Sequence, residues 1–142
     1  MFGLTINWLA IVAATVASFV IGMLWYGPIF GKKWMALMGY TKKSMKSMKM
    51  TPMESMSIGV VGMAISAFAL ANVVALVKIV YPAYPALNAG LFAAGLIWVG
   101  FSLTSELGSV TWENRSWSLF FLNSAHNLIS LLVMGAIIGV WV

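Results

Sequence analysis

LFFLNSAHNLISLLVMGAIIGVWV, residues 119–142, is apolar throughout except for a few uncharged polar residues and one histidine. A helix rises about 1.5 Å per residue, so roughly twenty such residues cross a hydrocarbon core about 30 Å thick. Three more runs of comparable length and character precede it, at Ile6–Tyr26, Ser55–Val80 and Ala86–Ser105. Of the 142 residues, 62% are hydrophobic and only 8% charged, and the mean hydropathy is +0.98. The pattern predicts an all-α membrane protein, a single domain over residues 1–142 with four transmembrane helices. The longest connection, Gly27–Glu54, leaves no room for a soluble domain. The first run could be mistaken for a secretory signal. However, Met1–Thr5 carries no Lys or Arg and the run outlasts a signal core, so a retained helix is expected.

Charge placement predicts the topology. Lys32, Lys33, Lys42, Lys43, Lys46 and Lys49 fall in the first connection and Arg115 in the third, whereas Lys78 alone lies toward the other side. Basic residues in short loops stay in the cytoplasm, so the 27–54 connection is expected there and both termini outside. Aromatic residues agree: Trp8, Tyr81, Tyr84 and Trp141 mark the outer interface, and Trp25, Tyr26, Trp34, Trp112 and Trp117 the inner one. The net charge of +5 therefore points to a membrane surface and not to nucleic acid. Thr51-Pro52-Met53-Glu54 reads as a capping box opening the second span. Tyr81-Pro82-Ala83-Tyr84-Pro85 reads as a tight hairpin between antiparallel spans two and three.

Within the first connection, Trp34, Leu37, Met38, Thr41, Met45 and Met48 share about a third of a helical wheel, beside an arc holding Lys42, Lys46 and Lys49. Lys43 lies further round. An amphipathic interfacial segment is expected, with Trp34 and the methionines at the acyl boundary, the lysines at anionic headgroups, and Gly39 able to split it. Met45, Met48, Met50, Met53 and Met56 could instead be read as a Cu(I) site, since thioethers suit that ion. The adjacent lysines repel a cation and no Cys or His is near, so no metal and no cofactor is expected.

The fourth span carries the distinctive chemistry. Asn123, His126, Asn127 and Ser130 follow i, i+3, i+4, i+7 and share one face. His126 lies about 13 Å inside the inner boundary at helical rise. Unpaired polar groups are costly in hydrocarbon, so this stripe should face protein or water. One reading is a polar pathway or proton-responsive gate, with Glu106 at the inner end of span three as a possible partner. The other is interhelical hydrogen bonding, worth about 0.6–2 kcal/mol per contact. Asn72 and Asn88 are further candidates for the pathway. Gly135 and Gly139 form a small-xxx-small motif on another face of span four, and Gly59 and Gly62 do the same for span two. Four thin helices enclose little interior, so self-association is expected.

Asn7-Trp8, Leu24-Trp25-Tyr26-Gly27-Pro28 and Phe30-Gly31-Lys32-Lys33-Trp34, together with Asn123, His126-Asn127-Leu128 and Met134-Gly135, resemble an uncharacterised family of small bacterial membrane proteins. That family is known only as a domain of unknown function with four spans. The resemblance covers nearly the whole chain, apart from the lysine–methionine stretch, and implies a bacterial cytoplasmic (inner) membrane location. It supplies no activity. From the residues, an oligomeric channel or transporter for a small solute or ion is expected. The alternative is a non-enzymatic accessory or scaffold protein that binds a membrane partner complex or anionic lipid. An enzyme is not expected, because one His and three acidic residues with no Cys supply too few groups for a catalytic constellation. The smallest four-span multidrug exporters need a carboxylate in span one, and this span has none.

Overall fold

The computed structural model describes residues 6–141, and every element among them is helical. Met1–Thr5, weighed above as the start of a signal, and Val142, the expected last residue of span four, lie outside the described residues. The elements are α1 (Trp8–Leu24), α2 (Gly31–Met38), α3 (Lys42–Lys46), α4 (Pro52–Val80), α5 (Ala86–Ile97), α6 (Leu103–Thr111) and α7 (Trp117–Val140). Two π-helical turns extend the spans, Trp25–Ile29 after α1 and Trp98–Ser102 between α5 and α6. Four helical stretches are therefore long and apolar enough to cross a membrane: Trp8–Ile29, Pro52–Val80, Ala86–Thr111 and Trp117–Val140.

The caps were written locally. Thr51 Oγ1 accepts from the Glu54 amide at 3.2 Å while the Glu54 carboxylate accepts from the Thr51 amide at 2.8 Å, and this capping box opens α4. Pro52 comes next, at the first helical position, where a missing N–H costs nothing. Asn7 caps α1 by accepting from the Leu9 and Ala10 amides, and its Nδ2 donates to the Trp141 carbonyl at 3.2 Å. One side chain thus ties the start of α1 to the end of α7. Lys78 donates to the Pro82 and Tyr84 carbonyls at 2.8 and 2.6 Å, closing the 81–85 hairpin. Gly39, at φ 71°, terminates α2 in the left-handed region, and Thr41 starts α3, so the amphipathic segment is two short helices.

Two span boundaries differ from the sequence reading. Gly27-Pro28 does not end the first span at Tyr26. Gly27 takes φ −106°, ψ −106°, and the chain continues as a π-turn to Ile29. The third span runs to Thr111 and not to Ser105, placing Glu106 well inside the helix.

α7 is the central helix, packing against α1, α4, α5 and α6. Its closest partner is α5. A Cβ added at Gly90 would collide with the Gly135 carbonyl oxygen, one at Gly135 with the Gly90 carbonyl oxygen, and one at Gly139 would come within 2.5 Å of the Ala86 carbonyl oxygen. Such close backbone approach is what small residues permit in a membrane. Ala10, Ala14, Ala67, Ala71, Ala89, Ala93 and Ala94 extend this packing through the half of the bundle nearest the termini, with Leu70, Val74, Met134 and Ile138 among them. Toward the basic end cavities open between the helices.

Gly135→Val should therefore wedge α5 from α7 and lower stability by about 1–3 kcal/mol or more. Gly59→Ala should be neutral or stabilising by up to about 1 kcal/mol, because a Cβ there meets nothing within 4 Å. Thermal unfolding in mild detergent checks both. By the same measurement, Thr51→Ala should cost about 1 kcal/mol through loss of the α4 cap.

Candidate functional site

His126 projects from the middle of α7 and is 9% exposed. Its surroundings come from both irregular turns. The turn at Trp25–Ile29 brings Tyr26 and Trp25 against it, with ring centroids 4.8 and 6.0 Å away. Pro28 lacks an N–H and Gly27 leaves helical geometry, which lets the backbone widen here and turn these aromatics inward. The sequence reading placed both at the membrane interface. In the structure Tyr26 Oη donates to Asn123 Oδ1 at 3.0 Å and so joins α1 to α7. Trp34 packs edge-on against Tyr26 and Tyr40, so it too sits on protein.

The second turn, Trp98–Ser102, has no counterpart in the sequence reading. Its Trp98 indole donates to the Ser124 carbonyl at 2.9 Å. An extra residue in a turn rotates the downstream helix by about 100° at 3.6 residues per turn. Ser102 at the end of the turn, and Ser105 and Glu106 on α6, therefore face α4 and α7.

Two cavities adjoin at His126. The polar one, about 440 Å³, lies between α4, α6 and α7 and is lined by Ser18, Ser66, Ser102, Ser105, Glu106, Asn127 and Ser130 as well as His126. The other, about 450 Å³, lies between α1 and α4 and is mostly apolar, lined by Phe19, Met23, Tyr26, Met56 and Met63 among others. Gly59, Met63 and His126 line both. A third cavity of about 320 Å³ shares Ser105 and Glu106 with the first and reaches Asn123, Glu113 and Arg115 at the basic end. A polar route thus runs from that end to mid-bundle, where Met134 and the alanine-rich core close it.

The hydrogen bonding of the stripe is uneven. Asn123 bonds across helices, to Tyr26. His126 contacts Asn127 Oδ1 at 3.3 Å through Nδ1 and Ser130 Oγ at 3.4 Å through Nε2, both on its own helix and both long. Trp25 Nε1 and Ser124 Oγ are buried without a hydrogen-bond partner among the described residues.

Of the residues singled out in the sequence, the structure brings Asn123, His126, Asn127, Ser130 and Glu106 to these cavities. It does not bring Asn72 or Asn88 there. Asn72 Nδ2 donates to the Phe68 carbonyl within α4, and Asn88 is exposed in the first turn of α5 at the opposite end. Gly59 and Gly62 line the polar cavity with nothing within 4 Å of an added Cβ, whereas Gly135 and Gly139 pack inside the protomer. Lys42, Lys43, Lys46 and Lys49 are exposed along and beyond α3. Among the described residues no three His, Cys, Asp or Glu side chains cluster as a metal site would need. Ser102, which helical spacing sets on one face of span three with Asn88, Gly95 and Glu106, lines the polar cavity, whereas Ser18, Ser66 and Ser105 were missed. Their only sequence signal is that polar residues recur on the basic-end halves of three spans.

No curated protein and no solved structure is detectably similar to this chain. A family profile described as a protein of unknown function (DUF1761) matches residues 9–139. Since that match takes in all four spans and the whole of the His126 site, this multi-pass membrane protein belongs to the DUF1761 family.

Proposed function

We propose that the protein is a non-enzymatic membrane transporter or channel that takes a small solute or ion into the cavity beside His126. One observation carries this reading. The sole histidine stands on the wall shared by two cavities and makes no hydrogen bond to another helix among the described residues. Were His126 there to hold the bundle together, it would bond across helices, as Tyr26 does to Asn123 and Trp98 to the Ser124 carbonyl. An ionisable residue at membrane depth that faces a polar cavity is a functional group by default.

The protomer alone offers a vestibule and no through-path, because its other half is closed by the α5–α7 contact. Self-association fits that geometry. The side of α4 bearing Gly59, Gly62 and Ser66 is unpacked in the protomer, and a second copy there would shield the polar cavity from lipid. In a bacterial cytoplasmic membrane the lysine-rich end faces the cytoplasm and the vestibule opens inward. Lys42, Lys43, Lys46 and Lys49, with exposed Met45 and Met48 beside them, bind the anionic leaflet at about 1 kcal/mol per lysine.

Flux through proteoliposomes tests the main reading, with protons followed by an internal dye, potassium by an electrode and glycerol by light scattering. Wild-type protein should pass at least one of these faster than empty liposomes. His126→Ala should cut that flux at least tenfold with the melting temperature and subunit count unchanged. Loss of stability with unaltered flux would instead make His126 a packing residue. For the surface, replacing the four lysines by glutamine should weaken retention on phosphatidylglycerol vesicles and leave it unchanged on phosphatidylcholine.

A further inference from the structure

The two cavities at His126 differ in chemical character, the one on the α6 side being the more polar. On the α6 side five hydroxyls, the Asn127 amide and the Glu106 carboxyl stand among Met63, Leu131 and Met134; on the α1 side Phe19, Met23, Met56 and Met63 dominate, with Tyr26 and Ser55 beside them. Each has the volume of a small-ligand pocket, for which about 300–1,000 Å³ is typical. Gly59, Met63 and His126 line both, and a Cβ at Gly59 would meet nothing within 4 Å. The absence of a side chain at that position leaves the two spaces facing each other past α4.

Charge sets the polar end. Glu106 is the only acidic residue lining the cavity, and among the described residues no cation lies within ion-pairing distance of it. The one salt bridge nearby joins Arg115 to Glu113, at 3.9 Å. A half-buried carboxylate with no ion-pair partner is a ready site for a positive group. The apolar end opens sideways, with Met23 and Met56 exposed on the lipid-facing side of the α1–α4 groove.

We propose that the site takes an amphiphile with a protonated amine head. The ammonium pairs with Glu106 and donates to Asn127 or Ser130, while the hydrocarbon chain passes Gly59 into the α1–α4 groove and out to the bilayer. This inference rests on the reading of the His126 cavity as a ligand site and adds the ligand class. A neutral head would leave Glu106 unpaired, an anionic head would meet it with like charge, and a short amine would leave the apolar groove unused.

Native mass spectrometry of the full-length protein from phosphatidylcholine nanodiscs tests this, with dodecylamine, dodecanol, dodecyl sulfate and butylamine as probes. Dodecylamine should be retained at one per chain and at least tenfold more than any of the others. Glu106→Gln should reduce its retention at least tenfold. Gly59→Leu, which fills the junction and leaves the carboxyl in place, should do the same, with both melting temperatures near wild type. Doping the nanodiscs with phosphatidylethanolamine identifies the native source: displacement of dodecylamine supports an amine lipid, and no displacement supports a free long-chain amine. Equal retention of dodecanol or dodecyl sulfate, or wild-type retention in Glu106→Gln, would overturn the inference. Butylamine bound as well as dodecylamine would overturn it while preserving the solute cavity. No retention of any probe, together with unaltered flux in His126→Ala, would overturn both.

Discussion

The contact of α5 with α7 through bare backbone at Gly90, Gly135 and Gly139 governs the rest of the structure. In a bilayer no hydrophobic force drives helices together, so association depends on how closely they approach and on bonds between them. Glycines at the crossing bring two helix axes near enough for carbonyl oxygens to take the place of side chains. The alanines of α1, α4 and α5 continue that approach through the same half of the bundle. The packing there is dense, and its polar side chains bond to nearby carbonyls, as Thr15 does to Ile11 and Asn72 to Phe68.

The opposite half is built from large side chains. Trp25, Tyr26, Phe30, Trp34 and Trp98 stand where alanines stand in the other half. Small residues at one end and large ones at the other make a wedge-like gradient of side-chain size, and the cavities at His126 lie toward its large-residue end. The polar residues around His126 lie in this half, where the bundle offers them space. In hydrocarbon, the Ser18, Asn127 and Ser130 side chains would otherwise have no water and no acceptor. Clamp and cavity are therefore two consequences of one distribution of side-chain size.

The two π-turns sharpen this arrangement. Each inserts a residue into a span at the level where the wedge begins to open, and each brings an indole to the central helix: Trp25 beside His126, and Trp98 onto the Ser124 carbonyl. Widened turns of this kind are frequent at functional sites, because they aim side chains that a regular helix could not. Here they turn Tyr26 toward Asn123 and Glu106 toward the cavity.

The sequence by itself determined every feature set by local chemistry or by length. The four spans come from hydrocarbon thickness, the α4 cap from Thr51 and Glu54, the hairpin from its prolines, and the break in the amphipathic segment from Gly39. The common face of Asn123, His126, Asn127 and Ser130 comes from helical period. Only the tertiary structure decided which partner each face meets. Gly135–Gly139, four residues apart, and Gly59–Gly62, three apart, both read as small-residue faces, yet one pair packs on α5 and the other lines a cavity, because small residues permit close approach without naming a neighbour. Asn72 and Asn88 share the residue type of Asn127 but fall outside the open half of the wedge. Glu106 became a cavity residue once the third span ran on to Thr111 and the turn at Trp98–Ser102 rotated it inward. That rotation arises from packing between helices, and no residue within the turn announces it.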